Sequence, residues 1–429
     1  MALNYMFIAF FVISFLLCCV KAAIGLWAPH NAFGDPEVFS AAVQSTFDLA
    51  KLGAQISIGY VGAFTLWLGL MKVGERGGVI GKMSAAVSPL FSRLFPDIPK
   101  EHPAFGAMMM NISANMLGLD NAATPMGLKA MKELQDLNPE KEVASNSQIM
   151  FLVLNTSGLT IIPLSIMILI TELSGGKVNP TEYFIPILVT TFCSTLAGLL
   201  AVSAVQRLNI FKHAAVWLYL VGISGFMAGL VLLYGNIGED GQIIFTSIFA
   251  GGLMMSLIVW FVVSAARVKA DVYGTFIEGA KEGFETAIKI IPFLVGILVA
   301  IGLFRVSGGL GLLSDGMGWL LTSIGADPQI AEALPTAFTK PFSGGGARGM
   351  MIETIENQQA LHGTVEGMKT IPSRMVAVMQ GSTETTFYVL AVYFGSVGIK
   401  NTRHAVGCGL FADFVGLLAA IFFTYLFFG

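Results

Sequence analysis

Nine apolar runs, each close to the length of a bilayer-crossing helix, recur along this chain and constrain its fold more than any other feature. They are Met1–Leu26, Ile56–Met71, Gln148–Ile170, Ile185–Val205, Ala214–Leu233, Ile243–Ala265, Ile288–Phe304, Met375–Val397 and Ala405–Phe428. A helix needs about 20 apolar residues to cross a hydrocarbon core, and in lipid every backbone N–H and C=O must find its partner within the protein. Runs of this length predict an all-α, polytopic membrane protein with the lipid bilayer as its first partner. Hydrophobic residues make up 55% of the 429 and charged residues only 12%, against about 25% charged in soluble domains. That deficit is spread over the whole length and leaves no stretch for a sizeable soluble domain. Met1–Leu26 lacks a basic leader and a clear small-residue cleavage site, so it reads as a retained first helix rather than a signal peptide.

Composition and spacing exclude several functions. A formal net charge of −3 offers no basic footprint for nucleic acid. Cys18, Cys19, Cys193 and Cys408 all lie in apolar runs without disulfide or CxxC spacing. His30, His102, His213, His362 and His404 form no HxxxH pair, so neither a metal nor a cofactor is expected. Gly344-Gly345-Gly346-Ala347-Arg348-Gly349 lacks the spacing of a phosphate-binding loop. No Ser/His/Asp set or carboxylate pair stands in an aqueous domain, and the chain is not expected to be an enzyme.

Two regions behave differently from the spans. Pro103–Met131 and Ile330–Ile355 are moderately apolar but interrupted, the first by Leu119-Asp120-Asn121-Ala122-Ala123-Thr124-Pro125 and the second by Lys340-Pro341-Phe342-Ser343-Gly344-Gly345-Gly346-Ala347-Arg348. Each is too short to cross twice, which predicts a re-entrant helical hairpin; an interfacial loop with amphipathic flanks is the other arrangement. Broken backbone at membrane depth persists only where protein buries it or where it lines a wet cavity. At the first tip, Thr124 before Pro125 reads as an N-cap followed by proline at the first helical position. At the second, Ser343 before three glycines reads as the start of the return helix. Bare N–H groups at a helix N-terminus suit an anion or a carbonyl. Lys340 and Arg348 add positive charge to the second tip, whereas Asn111, Asn115, Asp120 and Asn121 make the first amide-like or cation-friendly. A plain ion pair of Arg348 with Asp413 or Glu384 is the structural alternative.

The chain also repeats itself. Gly69-Leu70-Met71-Lys72-Val73-Gly74 aligns with Gly302-Leu303-Phe304-Arg305-Val306-Ser307, and the first hairpin break with the second. Asn155-Thr156-Ser157-Gly158-Leu159-Thr160 aligns with Gln380-Gly381-Ser382-Thr383-Glu384-Thr385. Cys193-Ser194-Thr195-Leu196-Ala197-Gly198-Leu199-Leu200-Ala201 aligns with Phe411-Ala412-Asp413-Phe414-Val415-Gly416-Leu417-Leu418-Ala419. Four matches in the same order predict two homologous halves, 44–206 and 281–429, after an N-terminal helix and outer loop at 1–43 and around a connecting helix pair at 207–280. With the N-terminus in the cytoplasm, the loops Lys72–Glu101, Lys129–Ser147, Gln206–His213, Ala266–Glu285 and Gly398–His404 fall inside and carry fifteen Lys and Arg, against five outside. The positive-inside rule supports that threading. It places the halves, and their hairpins, in opposite orientations. Inverted repeats with discontinuous helices are a common build of secondary transporters, with the solute near the midplane.

Polar groups inside spans are costly and usually face the bundle interior or a water path. The richest cluster is Gln380-Gly381-Ser382-Thr383-Glu384-Thr385-Thr386, where Gly381 weakens the helix and the hydroxyls can satisfy freed backbone groups. Glu384, the one carboxylate of that span, suits a cation, a coupling proton or a solute hydrogen bond; a neutral glutamate packed on a neighbouring helix is the bland reading. The uncharged Asn155–Thr160 segment suits solute binding or helix adhesion equally. The candidate substrate-binding residues are Asn121, Thr124, Asn155, Thr156, Ser157, Ser343, Gly344, Arg348, Gln380, Ser382, Thr383, Glu384 and Thr385.

A family resemblance rests on these same residues. Leu94-Phe95-Pro96-Asp97-Ile98-Pro99, Asn121-Ala122-Ala123-Thr124-Pro125-Met126-Gly127 and Leu154-Asn155-Thr156-Ser157 resemble the A-type spore maturation proteins. Lys340-Pro341-Phe342-Ser343-Gly344, the segment Gln380–Leu390 and Tyr393–Lys400 resemble the B type. The chain looks like a fusion of the two, covering nearly everything but the connecting helices. Both types carry the nucleoside recognition or Gate domain, related to concentrative nucleoside transporters and to the membrane part of B-type ferrous iron transporters. The resemblance implies a transporter-like core whose hairpin tips and broken helices form the site. The full glutamate-bearing motifs of the nucleoside transporters are not matched, so it does not imply a nucleoside cargo.

The reading that follows is a secondary transporter of a small polar or anionic solute in a bacterial inner membrane, free of any cofactor, with H⁺ or Na⁺ as the candidate coupling ion. A homo-oligomer is compatible with it. A membrane scaffold of the envelope or of spore maturation, a channel and a lipid flippase are the alternatives.

Overall fold

The computed structural model describes residues 2–27, 33–99, 102–116, 120–208, 212, 214–323 and 325–429. Their regular structure is helical throughout. In chain order the helices are α1 (Ala2–Trp27), α2 (Val38–Arg76), α3 (Val79–Leu94), α4 (Pro103–Met116), α5 (Asp120–Leu137) and α6 (Asn146–Thr156). Next come α7 (Leu164–Leu173), a 3-10 turn (Pro180–Tyr183), α8 (Phe184–Val205), α9 (Ala214–Asn236), α10 (Glu239–Arg267), α11 (Val272–Val306) and α12 (Gly309–Ser323). The last six are α13 (Gln329–Thr339), α14 (Gly344–His362), α15 (Thr364–Lys369), α16 (Ile371–Ser382), α17 (Thr386–Ser396) and α18 (Ala405–Phe428).

Among the described residues seven helices are long and apolar enough to cross a membrane: α1, α2, α8, α9, α10, α11 and α18. The other two apolar runs are each split at their polar segment, Gln148–Ile170 into α6 and α7, and Met375–Val397 into α16 and α17. The first split has a plain cause. Gly158 weakens the helix and Pro163 supplies no N–H for a carbonyl four residues back. Helices α2 and α11 outgrow their apolar cores, at 39 and 35 residues. They absorb flanking charged residues that hydropathy alone assigns to loops.

The order of elements repeats. A long helix, a helix of 16 or 15 residues, a two-helix hairpin, a split helix and a closing helix appear as α2 to α8 and again as α11 to α18. The hairpins are α4–α5 and α13–α14. In the second, Ser343 caps α14 as expected, its Oγ accepting the Gly346 N–H at 2.9 Å. The first departs from expectation. Helix α5 begins at Asp120, so Thr124 lies within it rather than at its cap, and Pro125 sits inside rather than at the first position. Proline is tolerated there because it forgoes one bond close to an end whose neighbouring N–H groups have no helical partner anyway.

The chain forms two compact units, each drawing on both halves of the sequence. The first comprises Met1–Phe64, Leu169–Val178 and Phe284–Gln380; the second comprises Thr65–Ile168, Asn179–Gly283 and Gly381–Gly429. In the first unit α2 and α11 run antiparallel with their backbones close. Gly302 stands against Leu49 and Ser45, and a Cβ on Gly53 would lie 3.1 Å from Val295. Helix α14 lies along α11, with Gly349 against Ile301 and Ile297. One turn on, Arg305 Nε meets the buried Glu353 at 2.8 Å.

The second unit holds the larger buried core, built from α3–α6, α8, α17 and α18 around Phe95, Met108, Phe151 and Leu152. Its central contact is between α8 and α18, which close the two halves of the repeat and run antiparallel. Tyr183 meets Phe428 at one end, at 5.8 Å between ring centroids, and Gln206 meets His404 at the other, at 3.1 Å. Midway, Ser194 Oγ donates to the carbonyl of Ala412 at 3.0 Å, its own partner in the sequence alignment. A Cβ on Gly198 would lie 3.2 Å from that of Ala412, and one on Gly416 would lie 3.2 Å from that of Ser194. Exchanging each residue for its equivalent turns one contact into the other. This is the signature of a two-fold relation, here within one chain, and it makes these two closing helices of the halves antiparallel partners. Small residues at the crossing let the backbones approach, as is usual between helices in lipid.

Candidate functional site

In the second unit the two breaks come together. The N–H of Glu384 donates to the carbonyl of Thr156 at 2.8 Å, and a Cβ on Gly158 would stand 3.3 Å from Glu384 Cγ. Each break leaves backbone groups without helical partners, and several find new ones nearby. The Thr195 hydroxyl donates to the Ser157 carbonyl at 3.0 Å, and the N–H of Ile161 reaches the last carbonyl of α4, on Met116, at 2.7 Å. Thr156 and Ser157 turn their hydroxyls back onto the Val153 carbonyl. Thr385 precedes α17 in extended backbone but makes no side-chain cap. Ser382, Thr383 and Thr385 are all buried here with Glu384 beside them.

Asn155, at the end of α6, joins this centre to the first hairpin. Its Oδ1 accepts from Asn115 Nδ2 at 2.7 Å and from the Tyr393 hydroxyl at 3.4 Å. Asn111 Nδ2 donates to the Ala123 carbonyl at 2.8 Å and to the Tyr393 hydroxyl at 3.1 Å. Tyr393 stacks on Phe151 at 5.9 Å and lies directly against Gly127, where a side chain would displace it. Burial pulls these amides and the phenol out of solvent, so their mutual bonds are needed rather than optional. Asn111 is fully buried, and its Oδ1 has no hydrogen-bond partner among the described residues. Thr124 belongs to the same hairpin, half-buried on α5. The side chain of Asn121 lies outside the described residues.

The first unit carries the second tip. Gln380 Nε2 donates to the Gly344 carbonyl at 3.3 Å, and Lys340 Nζ donates to the Gln380 carbonyl at 2.8 Å. The ammonium thus ties the hairpin to the end of α16 while the Ser343 cap and Gly344–Gly346 open α14. Arg348 is half-buried one turn further along. The candidate residues therefore gather as two sets. Ser343, Gly344, Arg348 and Gln380 belong to the first unit. Thr124, Asn155, Thr156, Ser157, Ser382, Thr383, Glu384 and Thr385 belong to the second.

Several polar residues escaped the candidate set. Lys340, only 7% exposed, stands out in the sequence merely as a charge beside glycines. Tyr393 reads as one more aromatic in an apolar run, with nothing local to show its two amide partners. Glu353, 2% exposed, sits in a helix whose sequence looks polar enough for water. Its signal was available: an acid in the return helix of a hairpin, with Arg305 in the preceding long helix.

Spanning helices, helices split at polar segments and an antiparallel pair of equivalent helices define a class, the polytopic all-α membrane proteins. The chain belongs to the nucleoside recognition (Gate) family, whose model matches residues 57–172 and 287–400. It is similar to spore maturation protein B of Bacillus subtilis (strain 168), 45% identical over 161 residues that cover 38% of this chain and 84% of that protein. It is also similar to spore maturation protein A of the same organism, 38% identical over 157 residues covering 37% of this chain and 79% of that one. No solved structure matches the chain.

Proposed function

We propose that this membrane protein is a secondary transporter of a small polar or anionic solute, not an enzyme, set in a bacterial inner membrane with its N-terminus in the cytoplasm. The hairpins α4–α5 and α13–α14 are read as re-entrant. What carries the proposal is the pair of breaks: two apolar runs of spanning length are interrupted where they are most polar, and the backbone of one break is bonded to that of the other. A helix that only anchors a protein gains nothing from such a break, whose freed groups each cost several kcal/mol in hydrocarbon unless something polar meets them. Broken helices facing a solute are the recurrent exception. Within the second unit the amides of the first hairpin, bonded to Asn155 beside the breaks, offer donors and acceptors to a carbonyl-bearing solute. Within the first unit the Lys340, Gly344–Gly346 and Arg348 tip offers positive charge and helix N–H groups that suit an anion.

The test begins with ligand-induced stabilisation. Purified protein is screened by thermal shift against nucleosides, nucleobases and small carboxylates, since a ligand of the native state raises apparent stability by mass action. A hit is then followed into proteoliposomes as gradient-driven uptake. Uptake is expected to vanish in Glu384→Gln and in Arg348→Ala while their melting temperatures stay at the native value. Normal uptake by both variants removes the proposed site. No stabilising solute and no flux, with a stable envelope partner on pull-down, makes the protein a scaffold instead.

A further inference from the structure

The two-fold relation in the second unit singles out a residue that neither break explains. Thr195 and Gly198 lie three residues apart on one face of α8, and both face the first break. Thr195 Oγ1 donates to the Ser157 carbonyl at 3.0 Å, and a Cβ on Gly198 would stand 3.3 Å from Ser157 Oγ. Their equivalents on α18 are Asp413 and Gly416. Gly416 faces the second break in the same manner, for a Cβ there would stand 2.8 Å from Thr383 Cγ2. Asp413 lies one turn earlier on that face and is 9% exposed. Where one half places a hydroxyl that donates to a freed carbonyl, the other places a carboxyl. A hydroxyl can always donate; a carboxyl can donate only while it holds its proton.

We propose that Asp413 is a proton-binding site that does for the second break, in its protonated form alone, what Thr195 does for the first. With the proton on, its O–H donates to a backbone carbonyl freed at residues 382–384. When the proton passes to water, carboxylate and carbonyl oppose one another as two acceptors, and the break must rearrange or admit water. The step is a bare proton transfer and needs no electron or co-reactant. Ionisable groups inside spans are rare and usually serve such a purpose. Among the elements packed on α18 in this unit, α8 brings Cys193, α9 brings Tyr219 and Tyr234, and α17 brings Tyr388 and Tyr393. Glu384 stands in the break itself, Glu182 and Tyr183 lie at the far end near Phe428, and α6 brings no titratable side chain. The inference goes beyond transport and does not need it; if transport holds, Asp413 is the seat of the coupling proton.

Infrared difference spectroscopy on the full-length protein in lipid reads this directly, without any solute. A step from acid to alkaline pH is expected to remove the C=O band of a protonated carboxyl and to shift the backbone amide band with it. Asp413→Asn is expected to remove one component of that carboxyl band, and the amide shift with it, while the bands of the other acids among the 27 remain. Asp413→Thr, the sister residue, is expected to fold and to lack the same carboxyl component and amide shift, so the reading is still tested if the asparagine variant is unstable. A difference spectrum of Asp413→Thr that matches the native one, in the carboxyl band and in the amide band, overturns the proposal. A signal that follows added Na⁺ at constant pH, and not pH, overturns it in favour of an alkali-cation site. Failure of solute uptake with the infrared signal intact would count against transport alone.

Discussion

The contact between Arg305 and Glu353 allows its energetics to be worked out before any measurement. The carboxylate is 2% exposed on α14, and the guanidinium, 37% exposed at the end of α11, reaches it at 2.8 Å. The contact is a charge pairing rather than a well-aligned hydrogen bond. At an effective dielectric near 20 the attraction is about 4–6 kcal/mol, and the desolvation of Glu353 offsets much of it. Removing one partner of a buried pair costs about 3–5 kcal/mol because the other charge is stranded. Arg305 is open to water, so Arg305→Met is expected at the low end, about 3 kcal/mol, after allowing for screening. Glu353→Met strands only an arginine that is 37% exposed, and about 1–2 kcal/mol is expected. In the double variant Arg305→Met/Glu353→Met no charge is left behind, and stability is expected within about 1 kcal/mol of the native protein. Reversible unfolding in mixed micelles against the SDS fraction measures all four forms. Costs that simply add, with no coupling of about 2 kcal/mol in the cycle, would refute the pairing as the reason for this polarity in α14.

Three further outcomes follow from the same geometry. In a cysteine-free background, the pairs Gly198→Cys with Ala412→Cys and Ser194→Cys with Gly416→Cys are both expected to form disulfides, since their Cβ atoms lie close to bridging distance. Mass mapping that finds one bridge without the other breaks the two-fold relation. Gly127→Ala drives a methyl into Tyr393 and is expected to cost about 1–3 kcal/mol, whereas Gly106→Ala on α4, with open space around it, is expected to cost nothing. The same micelle titration compares the two. Burial, aided by the Arg403 charge, holds the imidazole of His404 below its ordinary 6.5. The folded state therefore binds that proton less well than the unfolded one, so the stability it contributes is present above about 6.5 and is lost as pH falls toward the folded value. The thermal midpoint is expected to drop across that acid window and to drop less in His404→Gln.

The two helix breaks were legible because their polarity is out of place. Gln380–Thr386 and Asn155–Thr160 stand out against apolar flanks, and both mark the ends of split helices. Ser343 before its glycines announces a cap that the Oγ contact to Gly346 bears out. Thr124-Pro125 carried the same kind of signal and misled, because α5 starts a turn earlier and takes proline within it. Tyr393 and Glu353 were missed, and Lys340 was read only as a charge at the tip, for a common reason: each acts through partners far off in the chain. The Tyr393 hydroxyl bonds Asn111 across 282 positions, and no local pattern encodes that.

What the amino-acid order determined alone is the class of fold. Apolar runs of about 20 residues, with a deficit of charge throughout, admit helices and not barrel strands, which cross in about 9–11 residues, and hydrocarbon leaves the backbone no partner outside the protein. The duplication was also present there, as four aligned segments. Which helix meets which was decided only in three dimensions. Lipid is as apolar as the side chains facing it, so association rests on close backbone approach and a few buried hydrogen bonds. Nothing in the spelling of α8 says that Ser194 will find Ala412, or that each compact unit will draw helices from both halves. That choice also set Asp413 against a broken helix in the place where its sister half keeps a threonine.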